Sequence, residues 1–178
     1  MTERVKHLAA VQSARTLMTY LSLPTEIDTW PIIRWAWREG KRVLVPRIEP
    51  GPPGVETPMR ERRMAAVALR PAEIDSVAKH PDVRTGPLGI LEVGGAEPTP
   101  PSEIDVILAP CQAVDRSGNR LGKGGGFFDR FLADSAVRAK RIVLAFHVQV
   151  LDEVPVEPCD QRVEMAVTDA EILSFNKA

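Results

Sequence analysis

Three short apolar runs, IDVILAP (104–110), RIVLAF (141–146) and VEMAVT (163–168), limit the fold more than any other feature of the chain. Each has the length and β-branched content of a buried strand. A segment starting near Phe127 lies between the first two and reads as a helix. The first half repeats this rhythm: TLMTYLSL (16–23) reads as a strand broken by Pro24, and KRVLVP (41–46) as a second strand. Between them Thr29 can cap a helix over Trp30 to Glu39, with Pro31 tolerated in its first turn and Gly40 closing it. Strands alternating with helices predict parallel pairing, because a parallel crossover needs a long connection and leaves helices on the sheet faces. The expectation is an α/β fold: a single three-layer domain over residues 1–178, with a mostly parallel central sheet flanked by helices.

Other segments are less regular. Residues 2 to 14 read as one helix with a modest apolar stripe. Ile33, Trp37 and Trp30 are expected to face the core, and of Trp30, Trp35 and Trp37 two to pack and one to be partly exposed. The four prolines in 50–58 predict a surface loop before the strand MAAVALR (64–70). Residues 80–103 form a second Pro- and Gly-rich loop, of a length that is often functional, in which LGILE packs down.

Composition narrows the partners. The 178 residues are 44% hydrophobic, enough for a core, and carry 23 basic against 24 acidic side chains, a formal net charge of -1. That balance favours neither nucleic acid nor an anionic membrane; a small neutral-to-acidic ligand or a protein partner fits better. Cys111 and Cys159 form neither a disulfide framework nor a metal-type pair, and no segment reads as a signal peptide or membrane span, so the expected compartment is the reducing cytoplasm. His7, His80 and His147 have no ligand spacing and read as surface or hydrogen-bonded histidines. No fixed-period repeat is present.

The chemistry concentrates in RLGKGGGFFDRFL (120–132). Gly124-Gly125-Gly126 is unfavourable inside a helix or a strand and calls for a local reason. It matches neither the P-loop nor the dinucleotide fingerprint, since Phe127 and Asp129 stand where later glycines are required. What remains is the physics those motifs share: bare backbone N–H groups can approach phosphate closely, with Lys123 and Arg120 supplying charge. Asp129 would repel a phosphate unless Mg2+ lay between them, which points to a metal-nucleotide. A plain tight turn, with Asp129 facing the helix dipole and the phenylalanines in the core, explains the same residues. Cys111, after a strand end, lacks a triad partner and reads as a small buried thiol.

DRSGNRLGKGGGFFDRFL resembles the signature of the 5-formyltetrahydrofolate cyclo-ligase (5,10-methenyltetrahydrofolate synthetase) family. YLSLPTEIDTWPII, GKRVLVPRI, GPLGILE and LAFHVQVLDEVPVEPCDQRVEMAVTD are similar to further family segments in the same order, over about residues 17 to 169. The resemblance implies ATP-dependent conversion of 5-formyltetrahydrofolate to 5,10-methenyltetrahydrofolate through a phosphorylated formyl intermediate, by a cytoplasmic monomer with Mg2+. It implies that Arg120, Leu121, Gly122, Lys123, Gly124, Gly125, Gly126, Phe127 and Phe128 bind ATP, with Lys123 and Arg120 catalytic. Leu21 and Glu26, with Lys123 to Phe127, are the implied folate contacts, and Asp129 and Asp160 the implied metal ligands. A carboxylate at Glu26 suits an amino-pyrimidine edge, which offers two donors.

The chain departs from the family pattern where Phe127-Phe128 replace a tyrosine pair, Val93 a proline and Cys159 a histidine. The family's lead helix, which brings a lysine and an arginine to the phosphates, has no counterpart, because Met1 aligns beyond it; the chain as given is expected to turn over slowly. Two other outcomes stay open: a relative that binds folate or nucleotide without efficient turnover, and an interaction domain whose glycine loop is only a turn.

Overall fold

Val5 and Val11 are six residues apart, which on one straight helix sets them about 120° from each other. The computed structural model resolves this by breaking the helix: α1 (Thr2–Lys6) and α2 (Ala9–Ser13) meet at Leu8, whose backbone is extended, and both valines are fully buried. The single helix expected over 2–14 is therefore two. The structure describes residues 1–175 except 53, 55, 75, 77, 78, 87, 88 and 90. Pro87, Leu88 and Ile90 of the expected apolar patch lie outside the described residues.

The next unit follows the sequence rhythm. Strand β1 (Thr16–Met18) leads through α3 (Trp30–Arg38) to β2 (Arg42–Ile48), which pairs parallel to it. Strand β1 ends sooner than expected, since Tyr20 to Thr29 close a loop: Thr29 Oγ1 donates to Tyr20 O at 2.6 Å instead of capping α3. Asp28 Oδ1 takes the cap role, accepting from Trp30 N at 2.9 Å. Gly40 leaves α3 at φ 69°, where a side chain would be strained. Trp30, Ile32, Ile33 and Ala36 are buried, and Trp35 and Trp37 are partly buried and pack against the same core, Trp37 edge-on to Trp30 with ring centres 5.4 Å apart.

Strand β3 (Met64–Ala68) returns antiparallel to β2. The long loop after it is more ordered than its Pro and Gly content implies: β4 (Val83–Thr85) and β5 (Leu91–Val93) make a hairpin, and β6 (Pro98–Thr99) adds to β3. Strand β7 (Val106–Pro110) then pairs parallel with β1 on its other side. Beyond it lie β8 (Ala113–Asp115), β9 (Arg120–Leu121), α4 (Phe127–Leu132), β10 (Lys140–Leu144), β11 (Val150–Leu151), β12 (Met165–Val167) and β13 (Ile172–Ser174).

The eight-stranded sheet runs β13-β12-β10-β7-β1-β2-β3-β6, with β12, β10, β7, β1 and β2 mutually parallel and the outer pairs antiparallel. Side chains alternate between two cores with period two. Leu17, Val43, Val45, Val106, Leu108 and Ile142 pack with α1, α2 and α3, whereas Met18, Leu44, Ile107, Ala109 and Val143 pack with Phe131 and Leu132 of α4. Helices thus cover both faces, as the sequence predicts. The chain leaves β1 toward β2 on one side and later returns to β7 on the other, so β1 and β7 flank a switch in strand order, where open α/β sheets bind ligands at the carboxyl ends of their strands.

Candidate active site

A pocket sits at that switch. Tyr20, Leu21 and Glu26 come from the segment after β1, Pro46 and Ile48 from β2, Cys111 and Gln112 from the end of β7, and Gly122, Lys123 and Gly125 to Asp129 from the glycine loop and α4. Its inner cavity is small, about 140 Å³.

The loop is delivered by the β8–β9 hairpin, and Asp115 builds that turn. Its buried carboxylate accepts from Ser117 N (2.8 Å), Asn119 N (2.9 Å) and Asn119 Nδ2 (2.8 Å), with Val154 N at 3.4 Å. Burial pushes the Asp115 carboxyl up, but the hydrogen bonds from Asn119, Ser117 and Val154 outweigh it and hold it below the usual range. At Gly118, φ is 83° and a Cβ would stand 2.6 Å from Val163 O, so the turn admits only glycine. Asp115 had no role in the sequence reading; its signal is an Asp leading Ser-Gly-Asn, an Asx-turn pattern.

Two ion pairs hold the loop, one at its base and one at its tip. At the base Arg120 Nη2 donates to Asp129 Oδ1 at 2.7 Å, with the two side chains 2% and 13% exposed. Asp129 Oδ1 also accepts from Gln161 N at 3.2 Å, and the Arg120 guanidinium lies 5.9 Å from the Phe128 ring centre. At the tip Lys123 Nζ reaches Glu26 Oε1 at 2.6 Å, across 97 residues of chain, and Lys123 is 47% exposed. Glu26 Oε2 accepts from Leu23 N at 2.9 Å. Gly124 (φ 83°) and Gly126 (φ 61°) take the left-handed conformation that turns the chain into α4.

This geometry changes the charge argument drawn from sequence. Arg120 is buried under the loop against a carboxylate instead of standing in front of it as a free cation. Asp129 is matched by Arg120, so its charge alone no longer calls for a metal. A magnesium ion still fits: such an ion is commonly held by one or two carboxylates plus phosphate oxygens, and Asp129 Oδ2 accepts no hydrogen bond among the described residues. The described residues contain no cluster of three or more His, Cys, Asp or Glu suited to a metal.

Of the expected site residues, Leu21, Glu26, Arg120, Gly122, Lys123, Gly125, Gly126, Phe127, Phe128 and Asp129 line this pocket. Leu121 and Gly124 belong to the same loop but not to the wall. Asp160 lines a separate, more polar cleft of about 570 Å³ with Arg138, Arg141 and Arg162, and its Oδ2 accepts from Glu157 N at 2.8 Å. Its neighbour Gln161 reaches Asp129.

Tyr20 and Cys111, also in the wall, are neutral groups. Burial, then the charge of Glu26, raises the Tyr20 phenol well above its usual range, and its hydroxyl donates to Ile27 O at 3.3 Å. Burial pushes the Cys111 thiol up to about 12, so it is no nucleophile at neutral pH. His7 bonds Glu3 O, and buried His80 bonds Arg70 O and Asp82 N, the hydrogen-bonded roles expected of them.

The chain's relatives agree with one another. Residues 1–169 match the 5-formyltetrahydrofolate cyclo-ligase family. The chain is 32% identical to the 5-formyltetrahydrofolate cyclo-ligase of Mycolicibacterium smegmatis over 88% of its own length and 74% of that protein's. It is 30% identical to that of Escherichia coli K12, over 91% and 82%. In fold it is similar to the NMR structure of Aquifex aeolicus 5,10-methenyltetrahydrofolate synthetase, with a TM-score of 0.73, 23% identity, and coverage of 99% and 80%.

Proposed function

Because the chain belongs to the 5-formyltetrahydrofolate cyclo-ligase family, we propose that the pocket at the β1–β7 switch converts 5-formyltetrahydrofolate to 5,10-methenyltetrahydrofolate, with ATP consumed to ADP and phosphate. The observation that carries this reading is the meeting of Glu26 with Lys123 and the glycine loop, which puts the implied folate and nucleotide contacts on one cavity.

The chemical problem is a poor leaving group. An amide oxygen does not depart, but its phosphate ester does, so the formyl oxygen takes the γ-phosphoryl group and the neighbouring folate nitrogen then attacks the formyl carbon. Little covalent work falls to the protein; it has to position two substrates and balance charge on the transferring group. The backbone of Gly122 to Gly126 supplies N–H donors, and Lys123 supplies the mobile cation. Arg120 acts at one remove, by fixing Asp129 and supporting Phe128. Leu21 and Phe127 give the pterin apolar faces, and Glu26 accepts from its amino-pyrimidine edge. Magnesium at Asp129, with Asp160 through the segment that includes Gln161, would screen charge between the phosphates.

Before substrate arrives, Lys123 and Glu26 neutralise each other across a cavity of about 140 Å³, below the ~300–1,000 Å³ of ordinary ligand sites. Folate that takes Glu26 releases Lys123, and the loop tip opens toward the nucleotide. Binding of the first substrate thus prepares the cation for the second.

The two free cysteines suit a reducing cytoplasm. Among the described residues no helix is long and apolar enough to cross a membrane. The test is turnover: near-ultraviolet absorbance of the methenyl product should grow with 5-formyltetrahydrofolate and Mg-ATP together and stay flat when either is omitted. Mg-ATP binding without product would favour a non-catalytic relative, and no binding at all an interaction domain.

A further inference from the structure

The pocket wall holds three carboxylates, Glu26, Asp129 and Glu92, and two of them are committed. Glu26 is paired with Lys123 and Asp129 with Arg120. Glu92, on β5, is 3% exposed and has no cation within ion-pair distance among the described residues. Its Oε1 accepts from Ile48 N at 2.8 Å, which anchors the carboxylate against β2. Oε2 accepts no hydrogen bond among the described residues. Arg84 is the cross-strand neighbour of Glu92, yet its guanidinium lies beside Gly94. The wall around Glu92 is apolar, with Pro46, Ile48 and Met64 nearest along β2 and β3.

A mostly buried carboxylate without a cation is unfavourable unless something else uses it. Gly86 gives a second sign that the position is built for this group: a Cβ there would stand 2.4 Å from both Cδ and Oε2 of Glu92, so the bare backbone leaves room for the carboxylate. Glu26 comes from the segment after β1 and Glu92 is anchored to the neighbouring strand β2, so both carboxylates line the one pocket.

We infer that Glu92 is the proton acceptor of the ring-closing step, a role that rests on the proposed cyclo-ligase reaction. In that step the N10 lone pair forms the new bond to the phosphorylated formyl carbon. The proton on N10 passes to Glu92 Oε2, leaving its bonding pair on nitrogen, and the carbon–oxygen bond breaks with its electron pair departing on phosphate. The product is the methenyl cation, and Glu92 later returns the proton to water. An amine that has attacked carbon has to lose a proton before it can stay bonded, and a positioned base contributes about a hundred- to ten-thousandfold to such steps. Once pterin takes Glu26 and phosphates face Asp129, Glu92 is the remaining wall carboxylate able to do this.

The variant Glu92→Gln keeps an oxygen for Ile48 N and loses the basic one. Rapid-quench measurement of ADP, together with methenyl absorbance, separates the two halves of the reaction. Expected is one equivalent of ADP formed at the wild-type rate, followed by methenyl formation at least about a hundredfold slower, with the Michaelis constant for folate changed less than threefold. Gly86→Ala, which displaces the Glu92 carboxylate without removing it, should show the same split and serves if Glu92→Gln fails to fold. ADP and methenyl slowing together in an active, folded variant, methenyl formation unchanged, or a rise in the Michaelis constant alone each overturns the assignment. Absence of methenyl product from the wild-type chain overturns the cyclo-ligase reading itself, and the base role with it.

Discussion

The base and the tip of the glycine loop each carry one cation and one carboxylate, and they are built for opposite purposes. At the base Arg120 is buried, at 2% exposure, and Asp129 takes a backbone N–H as well. At the tip Lys123 is half exposed on a flexible stem, and its partner Glu26 belongs to a different part of the chain. Breaking the base pair strands a buried guanidinium, whereas the cation of the tip pair is already half solvated and leaves Glu26, itself 11% exposed, at lower cost. The same pairing of one cation with one carboxylate thus makes a fixed hinge at one end and a transferable cation at the other.

The comparison breaks most visibly at Lys123. Lys123→Ala should cut turnover by on the order of a thousandfold, since a positioned cation on a transferring phosphoryl group contributes that much. Its stability should fall less than when the base pair is broken, because the deleted lysine is half exposed although Glu26 loses its partner. Loss of folding by this variant would mean that the tip is structural.

Asp129→Asn should show the reverse weighting. It leaves Arg120 buried without its carboxylate, and the expected loss in chemical denaturation is about 3 kcal/mol. It should also weaken Mg-ATP more than metal-free ATP if Asp129 Oδ2 faces the ion; equal weakening of both removes the metal role and leaves the hinge.

A smaller effect sharpens the hinge. Asp115 has its carboxyl held below the usual range in the folded chain, so its contribution to stability is complete above the ordinary carboxylate value near ~3.9 and disappears as pH falls through the lowered folded value. Stability followed into acid should therefore decline less steeply in Asp115→Asn than in the parent chain, although the variant starts lower. Parallel acid profiles would show that the turn does not depend on the ionised carboxylate.

What was legible in sequence and what was not divides along physical lines. The parallel strands were readable because burial on both faces demands continuous apolar runs, as in IDVILAP and RIVLAF. Strands β4, β6, β8, β9 and β11 have two or three residues, too few to show a period; β4 and β9 exist through short hairpins, and β6 and β11 through hydrogen bonds to strands far along the chain. The glycine loop announced itself by composition. Its ion pairs did not: Glu26 and Lys123 are 97 residues apart, and nothing local marks Arg120 as buried instead of free. Glu92 was passed over inside a Pro- and Gly-rich loop, since a lone glutamate in such a segment reads as solvated until a hairpin carries it to Ile48.

The central claim, that Lys123 passes from Glu26 to the nucleotide, is tested most directly by the affinity for a non-hydrolysable Mg-ATP analogue, titrated with and without saturating 5-formyltetrahydrofolate in the parent chain and in Glu26→Gln. Folate should tighten the analogue roughly tenfold in the parent chain, within the ordinary range of site–site coupling. In Glu26→Gln, where Lys123 is already free, the gain should fall below about twofold. The same gain in both chains, or none in the parent, would contradict the account.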